Sequence, residues 1–360
     1  MTAASRPRTM QAAILVAQRA PLVVDEVELP EALGYGQVLV RLAWSGVCGS
    51  QLGEIAGAKG PDAHLPHLLG HEGAGEVVET GPGVKLVRPG DAVVLHWMKG
   101  RGLEAEPPRY RWQGRPLDAG WVTTFNEWAV VSENRVTPVP AAVDGRQAAL
   151  LGCAVTTGLG AVIDDARLRP GESIVILGAG GVGLNMVQGA ALCSARPIVA
   201  VDLHQNRLEL ARALGATHTL DARHADLRAE LPRLLGPRGA DVIVDNTGQP
   251  ELIELAYELT KPQGRVVLVG VPRQGQAARL HTLALHFGKV LTGSHGGQTE
   301  PSEDIPRYLG LVEAGKLALA PLVTQELPLS RINEALDGMR SGALAGRCLI
   351  DLRGAREGAR

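Results

Sequence analysis

Two rhythms of apolar residues divide the chain. Up to about Ala166, short runs rich in Val and Leu are separated by Gly and Pro breakers such as Gly81-Pro82-Gly83 and Pro89-Gly90. The runs are MQAAILVA (10–17), GQVLVRLAW (36–44), GAGEVVET (73–80) and DAVVLHW (91–97). Such runs between breakers predict β-strands. Beyond Ala166 the pattern changes to SIVILG (173–178), PIVAVD (197–202), DVIVDN (241–246) and RVVLVG (265–270), with helix-like stretches such as LNMVQGAALCSA and NRLELARALGA between them. Strands apolar on both faces and alternating with helices predict a parallel sheet covered on both sides. From Asp304 the chain reads as a helix (IPRYLGLVEAGKL), an extended segment (LVTQELPL), a second helix (SRINEALDGMRSG) and a last strand (RCLIDL). The pattern predicts an α/β protein in which a doubly wound parallel sheet, 155–296, is inserted in a β-rich domain made of 1–154 and 297–360.

Composition narrows the classes. A chain of 360 residues is too long for one ordinary core, which supports two domains. With 45% hydrophobic and 21% charged residues, the chain reads as globular rather than disordered. The net charge of −2 and the lack of any Lys/Arg run exclude electrostatic binding to nucleic acid or an anionic membrane. Arg6 and Arg8 precede no apolar segment, so no secretory signal is expected, and no stretch approaches the roughly 18 apolar residues of a spanning helix. A cytoplasmic location is the expectation. Four cysteines make no disulfide framework, which fits a reducing compartment. Cys193 and Cys348 lie in apolar runs and read as small buried hydrophobes.

The strongest motif is Gly178-Ala-Gly180-Gly181-Val182-Gly183, placed directly after a strand and before a helix. In that setting the three spaced glycines allow a tight turn, close approach of a pyrophosphate and close helix–strand packing, while the helix N-terminus offers free N–H groups. The second strand ends in Asp202, 24 residues after Gly178, where a carboxylate accepts bonds from the adenosine ribose. That carboxylate repels a 2′-phosphate and no Arg adjoins it, Arg207 being five positions on, so NAD is expected over NADP. The motif marks this insert as a Rossmann-type dinucleotide domain.

Cys48 in WSGVCGSQ, His71 and Glu72 in LLGHEGAGEVVETGPGV, and Cys153 in ALLGCAVTTG are the other residues with chemistry to offer. Taken singly, each Cys reads more readily as a structural residue than as a ligand. The order GVCGS, GHEGAGEVVETGPGV, PGD, LGCAVTTG, GAGGVG, however, resembles the zinc-containing medium-chain dehydrogenases from about Met10 to the final strand. The tail segments SHGG…DIP and INEALDGMRSGALAGR are similar to the subgroup that contains glutathione-dependent formaldehyde dehydrogenase.

The resemblance implies a Rossmann doubly wound sheet inserted in a GroES-like catalytic domain. It implies a zinc enzyme that moves a hydride between NAD(H) and an alcohol, aldehyde or ketone, assembled as a homodimer or homotetramer. Position by position, it implies that Cys48, His71 and Cys153 are the catalytic zinc ligands, with Glu72 close to the metal. Ser50 corresponds to the hydroxyl that bonds the substrate oxygen and passes its proton on. Thr157 and the Val269-Gly270-Val271 segment correspond to nicotinamide contacts, Asp202 and Arg207 to ribose contacts, and Arg347 to a basic residue near the pyrophosphate. His96, Gly120 and Trp121 fall where the family lines its substrate cleft. His96 ends a strand, where a hydrogen-bonded structural role competes with that reading. His64 and His67 read as surface-loop residues, and His295 as a residue that could approach the cofactor.

Three departures follow from the same comparison. Lys99 to Gly120 holds no cysteine, so the family's structural zinc is not expected, and Tyr110, Trp112 and prolines must hold that lobe. Gln51 stands where relatives usually carry an Asp that orients the His ligand, and it brings no negative charge. Gly53 stands where some relatives hold a His ending the proton relay. Two rival classes remain: a zinc-free, NADPH-dependent quinone or enone reductase, and a non-enzymatic protein that keeps the fold. The complete ligand triad, Asp202 and Ser50 all argue for the zinc enzyme.

Overall fold

The computed structural model describes residues 6–354. The first five residues, part of the stretch read above for a targeting signal, lie outside the described residues. Two compact units result. One runs to Cys153 and takes in Glu300–Glu313 and the chain from Leu319 on; the other is Ala154–Thr299 with Ala314–Ala318.

The first unit is built on the strand Gln37–Gly46. Its side chains alternate with the pleat: Val38, Val40 and Leu42 enter one apolar cluster with Val77, Leu95 and Ile350, while Leu39 enters another with Met10, Ile14, Tyr110 and Leu117. The strand pairs antiparallel with Glu72–Thr80, Trp128–Ser132 and Arg347–Asp351. It thus anchors a seven-stranded sheet completed by Ala92–His96, Val136–Pro138 and Val323–Pro328. A five-stranded sheet runs in the order His67–Leu68, Thr9–Leu15, Val23–Glu28, Tyr110–Trp112, Arg115–Leu117. The hairpin formed by its last two strands lies in the cysteine-free lobe.

The register places the candidate residues. Ser45 lies opposite Gly73 and Leu349 opposite Gly46, so one end of the sheet collects Cys48, His71 and Arg347 just beyond or at the strand ends. Cys153 follows the short helix Gly145–Leu150, whose N-cap Asp144 accepts from the Arg146 N–H. Gly152 brings it in: a Cβ there would sit 2.2 Å from the Leu95 carbonyl and 2.9 Å from Glu72 Cα. Any other residue would push Cys153 away from the His71–Glu72 segment.

The second unit is a six-stranded parallel sheet of Ile174–Leu177, Ile198–Asp202, His218–Asp221, Ala240–Asp245, Thr260–Leu268 and Val290–Gly293. Counted in chain order, the strands lie 3-2-1-4-5-6 across the sheet, the doubly wound arrangement whose order reverses beside the first strand. The first two strands are buried throughout, as their unbroken apolar runs require. His218–Asp221 escapes a reading of apolar runs, because as an edge strand it is only partly covered and carries polar residues. Among the described residues no helix is long and apolar enough to cross a membrane.

Candidate metal centre and dinucleotide site

One ligand atom each from Cys48, His71 and Cys153 lies within 4.8 Å of the other two. Both cysteines are buried. Nε2 of His71 is also buried and has no hydrogen-bond partner, while Nδ1 is 2.6 Å from Nε2 of Gln51. Two sulfur ligands and one imidazole form a donor set that suits Zn²⁺, and three protein ligands leave a position for substrate. The electrostatics agree. The Cys153 thiol and the Arg347 guanidinium hold the Cys48 thiol well below the usual thiol range, and His71 adds to this. Cys153 is pushed well above that range by its bond to Cys48 and by burial. Against burial, contact with Cys48 and the charge of Glu72 raise the His71 pKa. The site therefore already favours one thiolate, and a divalent cation would favour both.

Glu72, the fourth residue expected at the metal, is not part of this ligand cluster. Its Oε1 lies 3.4 Å from Nε of Arg347, and both residues are buried. Arg347 was expected near a pyrophosphate. Its guanidinium is aimed at Glu72, at the Val47 carbonyl (3.1 Å) and at Cys48 Sγ (3.6 Å), because the antiparallel register of Arg347–Asp351 carries it there. Sequence alone carried no signal for this pairing, since the partners lie far apart along the chain.

In the parallel-sheet unit the loop after the first strand carries the glycine motif. Gly178 has φ +94°, a left-handed conformation, and a Cβ on Gly183 would lie 1.9 Å from the Gly178 carbonyl. A Cβ on Gly180 would meet nothing within 4 Å, so this turn leaves open space in front of the helix Gly181–Leu192. That is a cradle fitted to a pyrophosphate. Asp202 is buried, with Oδ2 accepting from Ala179 N–H and Oδ1 from His204 N–H, and Arg207 approaches Oδ1 at 3.6 Å.

Residues 34–141 match the alcohol dehydrogenase GroES-like domain, and 181–314 match the zinc-binding dehydrogenase domain. The S-(hydroxymethyl)glutathione dehydrogenase of Haemophilus influenzae is 32% identical over 359 residues, covering 92% of this chain and 94% of that one. The chain belongs to the zinc-binding medium-chain dehydrogenases. Among solved structures, an alcohol dehydrogenase zinc-binding domain protein from Burkholderia ambifaria is 30% identical with a TM-score of 0.87. Benzyl alcohol dehydrogenase from Acinetobacter calcoaceticus is 27% identical with a TM-score of 0.86. Each alignment covers 96% of this chain and 99% of the other.

As a medium-chain dehydrogenase the protein is an oxidoreductase, and its fold joins a GroES-like domain to a Rossmann domain. The remaining residues singled out from sequence take distinct positions in this member of the family. Ser50 is exposed on the first turn of the helix Gly49–Ile55, close to Cys48 of the candidate metal cluster. Thr157 is buried in the helix Ala154–Gly160 with its hydroxyl unpartnered. Val269 and Gly270 follow the fifth strand with both N–H groups donated to the Asp245 carbonyl, and Val271 is exposed. Trp121 is half exposed under the Arg135 guanidinium, and Gly120 borders open space. His96 is buried with both nitrogens engaged, by the Met98 carbonyl at 2.8 Å and the Thr137 hydroxyl at 2.9 Å. Burial holds its pKa down to about 4, so the ring is neutral and structural. His67 is buried too, bonded to the Leu68 carbonyl and Asp62, whereas His64 is exposed.

Proposed function

We propose that this zinc-dependent dehydrogenase is NAD-linked, works in the cytoplasm, binds one zinc per chain and oxidises an alcohol or reduces the matching aldehyde. The observation that carries this reading is the buried Cys48–His71–Cys153 cluster with Nε2 of His71 facing no hydrogen-bond partner. Zinc held by these three residues would supply Lewis acidity to the oxygen of an alcohol or carbonyl. The chain does the rest. Ser50, fixed by the turn that presents Cys48, has a hydroxyl able to accept the substrate proton and donate its own onward. Gly178, Gly180, Gly181, Val182 and Gly183 would seat the pyrophosphate, and Thr157 and Val269 to Val271 would border the nicotinamide, which takes the hydride. Asp202 supports NAD, because a buried carboxylate disfavours a 2′-phosphate. Gly120 and Trp121 are proposed pocket walls, giving space beside a flat aromatic face.

The substrate class is narrowed by the relatives: a hydroxymethyl adduct of glutathione and an aromatic primary alcohol come first. The test is a panel of both, plus simple alcohols and polyols, with NADH absorbance and elemental analysis on the same preparation. We expect NAD-dependent turnover and one zinc per chain. Enone reduction with NADPH by zinc-free protein would overturn the reading, and Asp202→Ala should narrow the preference for NAD over NADP.

A further inference from the structure

Asp245 ends the fourth strand of the parallel sheet, Ala240–Asp245, which lies beside the first strand where the strand order reverses. Its side chain is fully buried, and its carboxylate collects three donors from the turn that follows. Oδ1 accepts from the Thr247 N–H at 3.1 Å and from the Thr247 hydroxyl at 2.6 Å, and Oδ2 accepts from the Gly248 N–H at 2.9 Å. Its main-chain carbonyl takes the Val269 N–H at 2.8 Å and the Gly270 N–H at 3.0 Å. One residue therefore grips two loops, 246–248 and 269–271, at neighbouring strand ends. The loops also meet backbone to backbone. A Cβ on Gly248 (φ +67°) would lie 2.6 Å from the Val271 carbonyl, and one on Gly270 would lie 2.2 Å from the Gly248 nitrogen. With no side chain between them, a shift of the first loop passes directly to the second.

We propose that Asp245 is a positioning residue for the dinucleotide: through Thr247 and Gly248 its carboxylate fixes where Val269 to Val271 stand toward the nicotinamide half. The inference rests on the reading of NAD as the cofactor and of 269–271 as its nicotinamide border. Asp202 and the glycine turn, at the ends of the second and first strands, serve the adenosine and pyrophosphate, so separate groups hold the two halves of the cofactor. The carboxylate supplies an acceptor oxygen on each side. An Asn at this position has one oxygen and one NH₂ group. Whichever way it turns, a main-chain N–H of Thr247 or of Gly248 faces a donor. The turn then relaxes, and binding the nicotinamide half must first restore it.

The test compares wild type, Asp245→Asn and Gly248→Ala as full chains. The Kd values of NADH and of AMP are measured by calorimetry, with Tm alongside. A buried N–H left without its acceptor shifts an equilibrium constant by about tenfold or more. We therefore expect Asp245→Asn to weaken NADH by about tenfold and AMP by no more than about twofold. Gly248→Ala keeps the carboxylate but pushes on the Val271 carbonyl, and it should show the same split. It decides the matter if Asp245→Asn does not fold. A lower Tm with NADH affinity within about twofold of wild type overturns the proposal, because the role is then only structural. Equal loss of NADH and AMP overturns it as well. Wild type that binds NADPH in place of NADH overturns the NAD reading alone, and the comparison is then made with NADPH. Wild type that binds AMP but neither dinucleotide overturns both.

Discussion

Ser50 and His96 show how the same chemistry-bearing residue types take different work from their surroundings. Ser50 is exposed close to Cys48, the proposed zinc ligand, so Ser50→Ala should leave zinc and NAD binding nearly intact. The hydride-transfer step in single turnover should slow by at least about tenfold, within the 10²–10⁴-fold range of positioned proton transfer or just below it. Full single-turnover activity would show that water carries the proton. Gly53 has no group to pass it on, so Gly53→Ala should change this step little. His96 has no such role to offer, because both ring nitrogens are already bonded. Its folded pKa of about 4 lies below the ordinary 6.5, so between those values the unfolded chain binds a proton that the folded one refuses. Stability should therefore fall as pH drops from 6.5 towards 4, by up to about 1.4 kcal/mol per pH unit from this group alone. Urea midpoints of His96→Gln against wild type should converge as pH falls through that window. A constant difference would remove His96 from the account.

The cysteine-free lobe makes its case as an element. Its hairpin, Tyr110–Trp112 and Arg115–Leu117, continues the five-stranded sheet, and two aromatic side chains tie it down. The buried Tyr110 hydroxyl accepts from the Val130 N–H at 2.9 Å, and the Trp112 indole N–H donates to Asp25 at 2.8 Å. Packing and these hydrogen bonds hold the hairpin to the rest of the sheet. Tyr110→Phe leaves the Val130 N–H buried without that acceptor, at a cost of about 1–3 kcal/mol. The Tm should fall, with zinc content unchanged. An unchanged Tm would mean that the hydroxyl contributes nothing to the lobe.

At the scale of the whole molecule, the parallel sheet ends at Val290–Gly293, with Val290 and the preceding Phe287 exposed. An apolar edge strand is a template for pairing with a second copy. Light scattering at micromolar concentration should give at least a dimer, and Val290→Lys should shift it towards monomer; a monomeric wild type would refute this. The sequence by itself determined the two strand rhythms, the glycine turn and the ordered Cys, His and Cys motifs, since each depends on local periodicity or on short segments with their own conformational demands. Tertiary structure alone decided that Arg347 turns to Glu72 and Cys48, that Tyr110 accepts from Val130, and that the Gln51 amide which meets His71 also reaches the Cys48 N–H. The reason is physical: strand register and side-chain orientation join residues up to three hundred positions apart, and no local pattern encodes which atom of a buried amide faces which partner.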